Sequence, residues 1–242
     1  MEEKDLALIM FILFSFIGVM TLILIVKAIK KTRERKLLKT VTKLHRGTKS
    51  ERKLVLELLK MGIPADAIFH DLYLRKTNGD YTQIDLVVLV DTTLIVLEVK
   101  YYKGWIFGSG NNYKWTQVLA YGNEKYRFYN PVKQNYNHII ALKNRFKHLG
   151  KIPYHSVIIF DGDCVLKKVD YIPIGTTVAK VSQLPFIMNE ILSIENYISH
   201  TIRDQISIEL KEAVMNGDNN EIITSHIESI REMLGSDDVY YN

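Results

Sequence analysis

The longest apolar run comes first. From Leu6 to Val26 no residue carries a charge, and these 21 residues, rising about 1.5 Å each, are enough to cross a bilayer as one helix. The next strong signal has a different period. LVVLV (86–90) and LIVLEV (94–99) are short, apolar and β-branched, which predicts neighbouring strands over 82–90 and 94–102. Upstream, Leu54, Val55, Leu58 and Leu59 form the stripe of a helix over 50–61, followed by a strand over 68–74 and a turn at Asn78-Gly79. Downstream come short strands near Trp105 and Trp115. A helix over 131–148 follows, opened by Asn130 as N-cap and Pro131, and then a strand over 155–160. Beyond these, Ile187, Ile191, Ile194, Ile198, Ile202 and Ile206 recur at helical spacing. After a break at NGDNN (216–220) a second stripe runs through Ile223, Ile227, Ile230 and Leu234. This predicts a helical hairpin packed within the chain. Homo-oligomerisation through these helices is the alternative, disfavoured because no heptad is sustained.

That order predicts an α/β fold, a mixed β-sheet flanked by helices. It also divides the chain into an anchor (1–26), a basic juxtamembrane linker (27–44), a core domain (45–165) and a mainly helical acidic region (166–242). Charge sharpens the division. The four stretches 1–26, 27–43, 44–150 and 151–242 carry net charges of −2, +7, +7 and −7. The cluster after Val26 places the N-terminus outside and the rest in the cytoplasm, as a single-pass membrane protein. An acidic flank before the apolar run, its length and the lack of a small-residue cleavage site argue against a signal peptide. Cys164 is the one cysteine, which excludes an intramolecular disulfide and a cysteine-rich zinc site. The seven histidines show no paired metal-ligand spacing, and His70 and the others read as structural or surface residues.

Three charged residues interrupt the two apolar strands: Asp85, Glu98 and Lys100. Burying charge requires a partner, a metal or a shifted pKa. If Asp91-Thr92 is a two-residue hairpin tip, Leu89 lies opposite Leu94, Asp85 opposite Glu98 and Gln83 opposite Lys100. Gln83, Asp85, Val87 and Leu89 then share one face. Two carboxylates so close repel unless a cation neutralises them, and oxygen-only donors suit Mg²⁺ or Mn²⁺. A lysine on the same face can orient water or stabilise phosphate charge; as a general base it needs a depressed pKa. The plain alternative is a Glu98–Lys100 salt bridge on an exposed strand pair. Glu51 shares the buried face of its helix, or is a first-turn glutamate favoured by the helix dipole. Gln134, His138, Ala141 and Arg145 share one face of the later helix. Lys103, Lys114, Lys133 and Arg145, among several tyrosines and tryptophans, suit a nucleic-acid backbone and stacked bases.

The blocks GTKSERKLVLELL, QIDLVVL, VLEVKYYKGWIFG and YNPVKQNYNHIIAL, in this order over roughly residues 45–165, resemble the NERD (nuclease-related domain) family. That family is a branch of the PD-(D/E)XK nucleases. Its helix usually opens with a doubled Gly-Glu pattern, of which only Glu51 remains here. The resemblance implies a restriction-endonuclease-like sheet and a metal site at Asp85, Glu98 and the Val99 carbonyl. It also implies catalytic roles for Lys100, Glu51, Gln83 and Gln134. The expectation is a membrane-anchored, cytoplasm-facing, divalent-metal-dependent nuclease hydrolysing phosphodiester bonds, with DNA favoured. The alternative is a catalytically inactive nuclease-like nucleic-acid-binding or adaptor module tethered to the membrane.

Overall fold

The computed structural model describes residues 3–195 and 197–234. Helix α1 (Glu3–Leu38) is long and apolar enough to cross a membrane, and its side chains from Met10 to Val26 are exposed. It does not stop where the apolar run stops. The basic stretch after Val26 stays helical to Leu38, which is buried against the core, and Glu34 pairs with Lys60 of α2 at 2.9 Å.

Helix α2 (Lys49–Lys60) is capped by Thr48, whose hydroxyl accepts the Glu51 N–H at 3.2 Å. Then come β1 (Ile68–Arg75), β2 (Tyr81–Leu89), β3 (Leu94–Tyr101), β4 (Gly104–Ser109), β5 (Lys114–Leu119) and β6 (Glu124–Tyr129). Helix α3 (Pro131–Arg145) leads to β7 (Tyr154–Asp161), β8 (Cys164–Asp170) and β9 (Thr176–Lys180). The chain ends in α4 (Leu184–Leu192), α5 (His200–Asn216) and α6 (Asn220–Leu234). A mixed five-stranded sheet has the order β1-β2-β3-β7-β9, and a four-stranded sheet the order β6-β5-β4-β8. Strand β8 runs across residue 165 and β9 lies past it, so both sheets draw on the region expected to be mainly helical.

Every residue from Leu94 to Val99 is buried, because β3 lies in the middle of the sheet with helices on both faces. On one face α2 and α4 pack Leu54, Leu58, Ile187 and Ile191 against Leu86, Val88, Ile95 and Leu97. On the other, α3 and α5 pack Ile139, Leu142, Ile206 and Leu210 against Val87, Leu89 and Val96. The isoleucine run from 187 to 206 is therefore not one helix. It breaks after Leu192, restarts with Ser199 accepting the Ile202 N–H, and its two halves cover opposite faces of the sheet.

Candidate active site

The hairpin register is the one expected. Leu89 pairs with Leu94 and Leu86 with Leu97, and the Val90 N–H donates to the Thr93 carbonyl across the Asp91-Thr92 tip. Pairing ends at Leu86–Leu97, just before Asp85 and Glu98. There a side chain replaces the ladder: Asp85 Oδ2 accepts the Val99 N–H at 2.8 Å.

The expected alternation along β2 does not hold. Ile84 packs in the same cluster as Val87 and Leu89, so the pattern changes phase at Asp85. The cause lies on β1, where Asp71, level with Asp85 in the β1–β2 register, has φ +56°. A non-glycine residue in that region costs about 1–3 kcal/mol and persists where its surroundings hold it. Three groups do so: Arg46 Nε donates to Asp71 Oδ2 at 3.0 Å, Arg46 Nη2 to its carbonyl, and Gln83 Nε2 to Oδ1 at 2.8 Å. Gln83 is thereby turned to β1, and the expected opposition of Gln83 to Lys100 does not form.

Glu98 is 1% exposed and is the hub of the site. Lys100 Nζ stands 2.7 Å from its Oε1 and 3.1 Å from Gln134 Oε1; His138 Nε2 stands 3.3 Å from its Oε2. Thr82 Oγ1 holds His138 Nδ1 at 3.1 Å. A second set repeats the pattern: Thr42 Oγ1 lies 2.8 Å from His70 Nδ1, and His70 Nε2 3.3 Å from Glu51 Oε2. The two imidazoles, expected to be structural or surface residues, each sit between a threonine and a buried glutamate. For His138 the signal was its position one turn after Gln134 on α3; His70 had none.

Burial and the Glu98 and Glu51 carboxylates push the pKa of Asp85 well above the usual carboxylate range. Burial pushes Glu98 the same way, but the Lys100 ammonium and His138 outweigh it and hold Glu98 below its ordinary value. Burial alone would lower Lys100, yet Glu98 and Asp85 hold its pKa above that of a free lysine. Lys100 is thus a fixed cation here, contrary to the depressed pKa that a general-base role requires.

The residues fit a hard divalent cation in donor chemistry. Glu98 Oε2 and Glu51 Oε2 are buried without a hydrogen bond of good geometry, and Asp85 carries the cost of facing two carboxylates. Both hallmarks would be relieved by positive charge. Among the described residues no three His, Cys, Asp or Glu side chains cluster as a metal site of their own.

Asp85, Gln83, Gln134 and His138 open onto a cleft of about 1060 Å³. Of the four cations expected to grip nucleic acid, only Arg145 lines it, and Arg145 is engaged by Glu209 and, at 3.6 Å, by Glu212. Lys103 is exposed in the β3–β4 turn, Lys114 starts β5 and Lys133 lies in the first turn of α3.

Residues 46–161 match the family model of the nuclease-related domain. An uncharacterized protein of Bacillus anthracis is 36% identical over 123 residues, covering 50% of this chain and 56% of that protein. The aligned part thus spans little more than half of the relative. No solved structure matches the chain. The matched span contains Glu51, Asp85, Glu98, Lys100 and Gln134, and over these residues the chain is similar to the nuclease-related domain, behind one candidate membrane-spanning helix.

Proposed function

We propose that this chain is a membrane-anchored, cytoplasm-facing, divalent-metal-dependent nuclease that hydrolyses phosphodiester bonds in DNA. The observation that carries the reading is the meeting of Asp85 and Glu98 at the end of the β2–β3 ladder, with Lys100 at 2.7 Å from Glu98. A protein that only bound phosphate would gain nothing from two carboxylates facing it.

Asp85, Glu98 and the Val99 carbonyl are the assigned ligands of Mg²⁺ or Mn²⁺. The N–H and C=O of a strand residue leave the same edge, and the Val99 N–H already points to Asp85, so its carbonyl faces the same gap. When bound, the cation supplies Lewis-acid chemistry toward the phosphate. The side chains do the rest. Lys100, held between Glu98 and Gln134, places a fixed positive charge where negative charge grows on the scissile phosphate, and can orient the attacking water. Glu51 adds a third carboxylate to the neighbourhood of Asp85, and Gln83 is braced by Asp71 at the cleft wall. Lys103, Lys114 and Lys133 are assigned to the nucleic-acid backbone; Arg145, already paired with acids, contributes least.

The test is cleavage of DNA by the full chain in detergent micelles with Mg²⁺, Mn²⁺ or EDTA. Cleavage is expected with either metal and not with EDTA. Asp85→Ala and Glu98→Ala each abolish it, and Lys100→Ala lowers the rate by about 10²–10³-fold, the scale of one lost electrostatic stabiliser. Salt-dependent binding of DNA without cleavage under any metal would overturn the enzymatic reading in favour of the tethered binding module.

A further inference from the structure

The cleft has the wrong charge and the wrong walls for a double helix. Specific duplex-binding surfaces are broad and strongly positive. Here the lining cations are Arg75, Lys76 and Arg145. Arg145 is neutralised by Glu209 and Glu212, and Lys76 lies 3.5 Å from Asp80. Arg75, at the end of β1, is exposed and has no acidic partner among the described residues. A volume of about 1060 Å³ is at the upper end of small-molecule sites, enough for a few nucleotides.

What the cleft offers instead is aromatic and amide surface. Tyr113 is 58% exposed and meets the Tyr129 ring edge-on at 5.2 Å. Asn137 Nδ2 reaches the Tyr129 hydroxyl at 3.5 Å, and Asn137, Asn144 and Gln134 project from one face of α3. Aromatic faces with polar groups between them suit unpaired bases, because every base has a π-face and a hydrogen-bonding edge. Helix α6 adds a wall through His226, Ser229 and Ile230, and His226 Nδ1 lies 3.0 Å from the Tyr81 carbonyl, which fastens that wall to β2. The turn before α6 is held as well: Lys43 pairs with Asp218 at 2.9 Å, and Arg46 Nη1 donates to the Val214 carbonyl at 2.6 Å.

We propose that the cleft beside Asp85 takes single-stranded DNA, with a base stacked on Tyr113 and a backbone phosphate drawn by Arg75. This rests on the nuclease reading above and names its substrate class. Helix α6 and the Tyr113–Tyr129 pair line the same cleft as Asp85, so a strand lying in it meets both walls.

The experiment measures binding of a fluorescein-labelled single-stranded oligonucleotide and its duplex to the full chain in micelles, with EDTA present so that nothing is cut. The single strand is expected to bind at least about tenfold tighter. Tyr113→Ala weakens single-strand binding by about tenfold, the scale of one lost base stack, and Tyr113→Phe restores it. Arg75→Ala lowers the slope of log affinity against log salt by about one. Both side chains are exposed, so neither change threatens the fold. Equal or tighter duplex binding, undiminished single-strand affinity in Tyr113→Ala, or binding of neither would overturn the proposal. Duplex cleavage with Mn²⁺ would leave the nuclease reading standing while this inference fell. Selective single-strand binding without cleavage would do the reverse.

Discussion

At the residue scale, Gly47 reports how closely the buried carboxylates are fitted. Its φ is +60°, and a Cβ there would stand 2.4 Å from Glu51 Oε2 and 2.6 Å from His70 Nε2. Gly47→Ala therefore meets both a strained backbone and a collision with two buried groups. A loss of roughly 1–3 kcal/mol in denaturant melts is expected, with reduced cleavage because Glu51 must move. Wild-type stability in that variant would show that the Glu51–His70 pair yields freely. The positions of Asp85, Glu98 and Lys100 were conspicuous because charge stands out in apolar strands. Those of His70, His138, Asp71 and Arg46 were not, because nothing local distinguishes a histidine beside a glutamate 19 or 40 residues away from one facing water.

At the element scale, turn length and hydrophobic pattern carried the β2–β3 hairpin, since a two-residue tip leaves one register that buries both strands. The phase change at Asp85 was hidden, because it comes from the left-handed Asp71 on a different strand. The isoleucine stripe misled for a related reason: spacing describes one helix face, and only the sheet decides which half packs on which side. Helix α6, part of the acidic region, lines the cleft. Its anchor is pH-sensitive. Burial pulls the pKa of His226 below its ordinary value, the Tyr81 carbonyl raises it in part, and His138 and Lys76 lower it further. Protonation then favours the undocked helix. Stability from His226 is complete above about pH 6.5 and is lost as pH falls through that value toward the lowered folded pKa. Amide hydrogen exchange in α6 should therefore speed up, relative to β3, between about pH 7 and pH 5. Unchanged relative protection over that interval would refute the docking role.

At the scale of the whole molecule, the anchor and the domain share a helix. Removing residues 1–26 takes away the apolar span and leaves Leu38 on the core. Removing residues 1–44 also strips Leu38, whose burial is worth roughly 2 kcal/mol. Both truncations should leave the membrane fraction, with the longer one melting at lower temperature. Equal melting temperatures would mean that the end of α1 does not pack as described. On the proposed orientation, with the positive charge after Val26 on the cytoplasmic side, a reporter active only in the cytoplasm should be active when fused after Asn242. Activity of an exported-side reporter at that position would reverse the topology.

Some properties of this protein were settled along the chain itself. An uncharged 21-residue run, two β-branched strands with a short tip, and acids set within those strands are local facts, and each limits what can be built. They determined a candidate membrane helix, a mixed α/β sheet and the meeting of Asp85 with Glu98. Other properties depended on segments far apart in sequence. Arg46 reaches Val214, His226 reaches the Tyr81 carbonyl, and α3 brings Gln134 and His138 over β3. No local pattern encodes such pairs, because each is chosen by the packing of whole elements. Tertiary structure alone therefore decided that His70 and His138 stand beside Glu51 and Glu98, that Lys100 is a fixed cation, and that the site opens into a walled cleft.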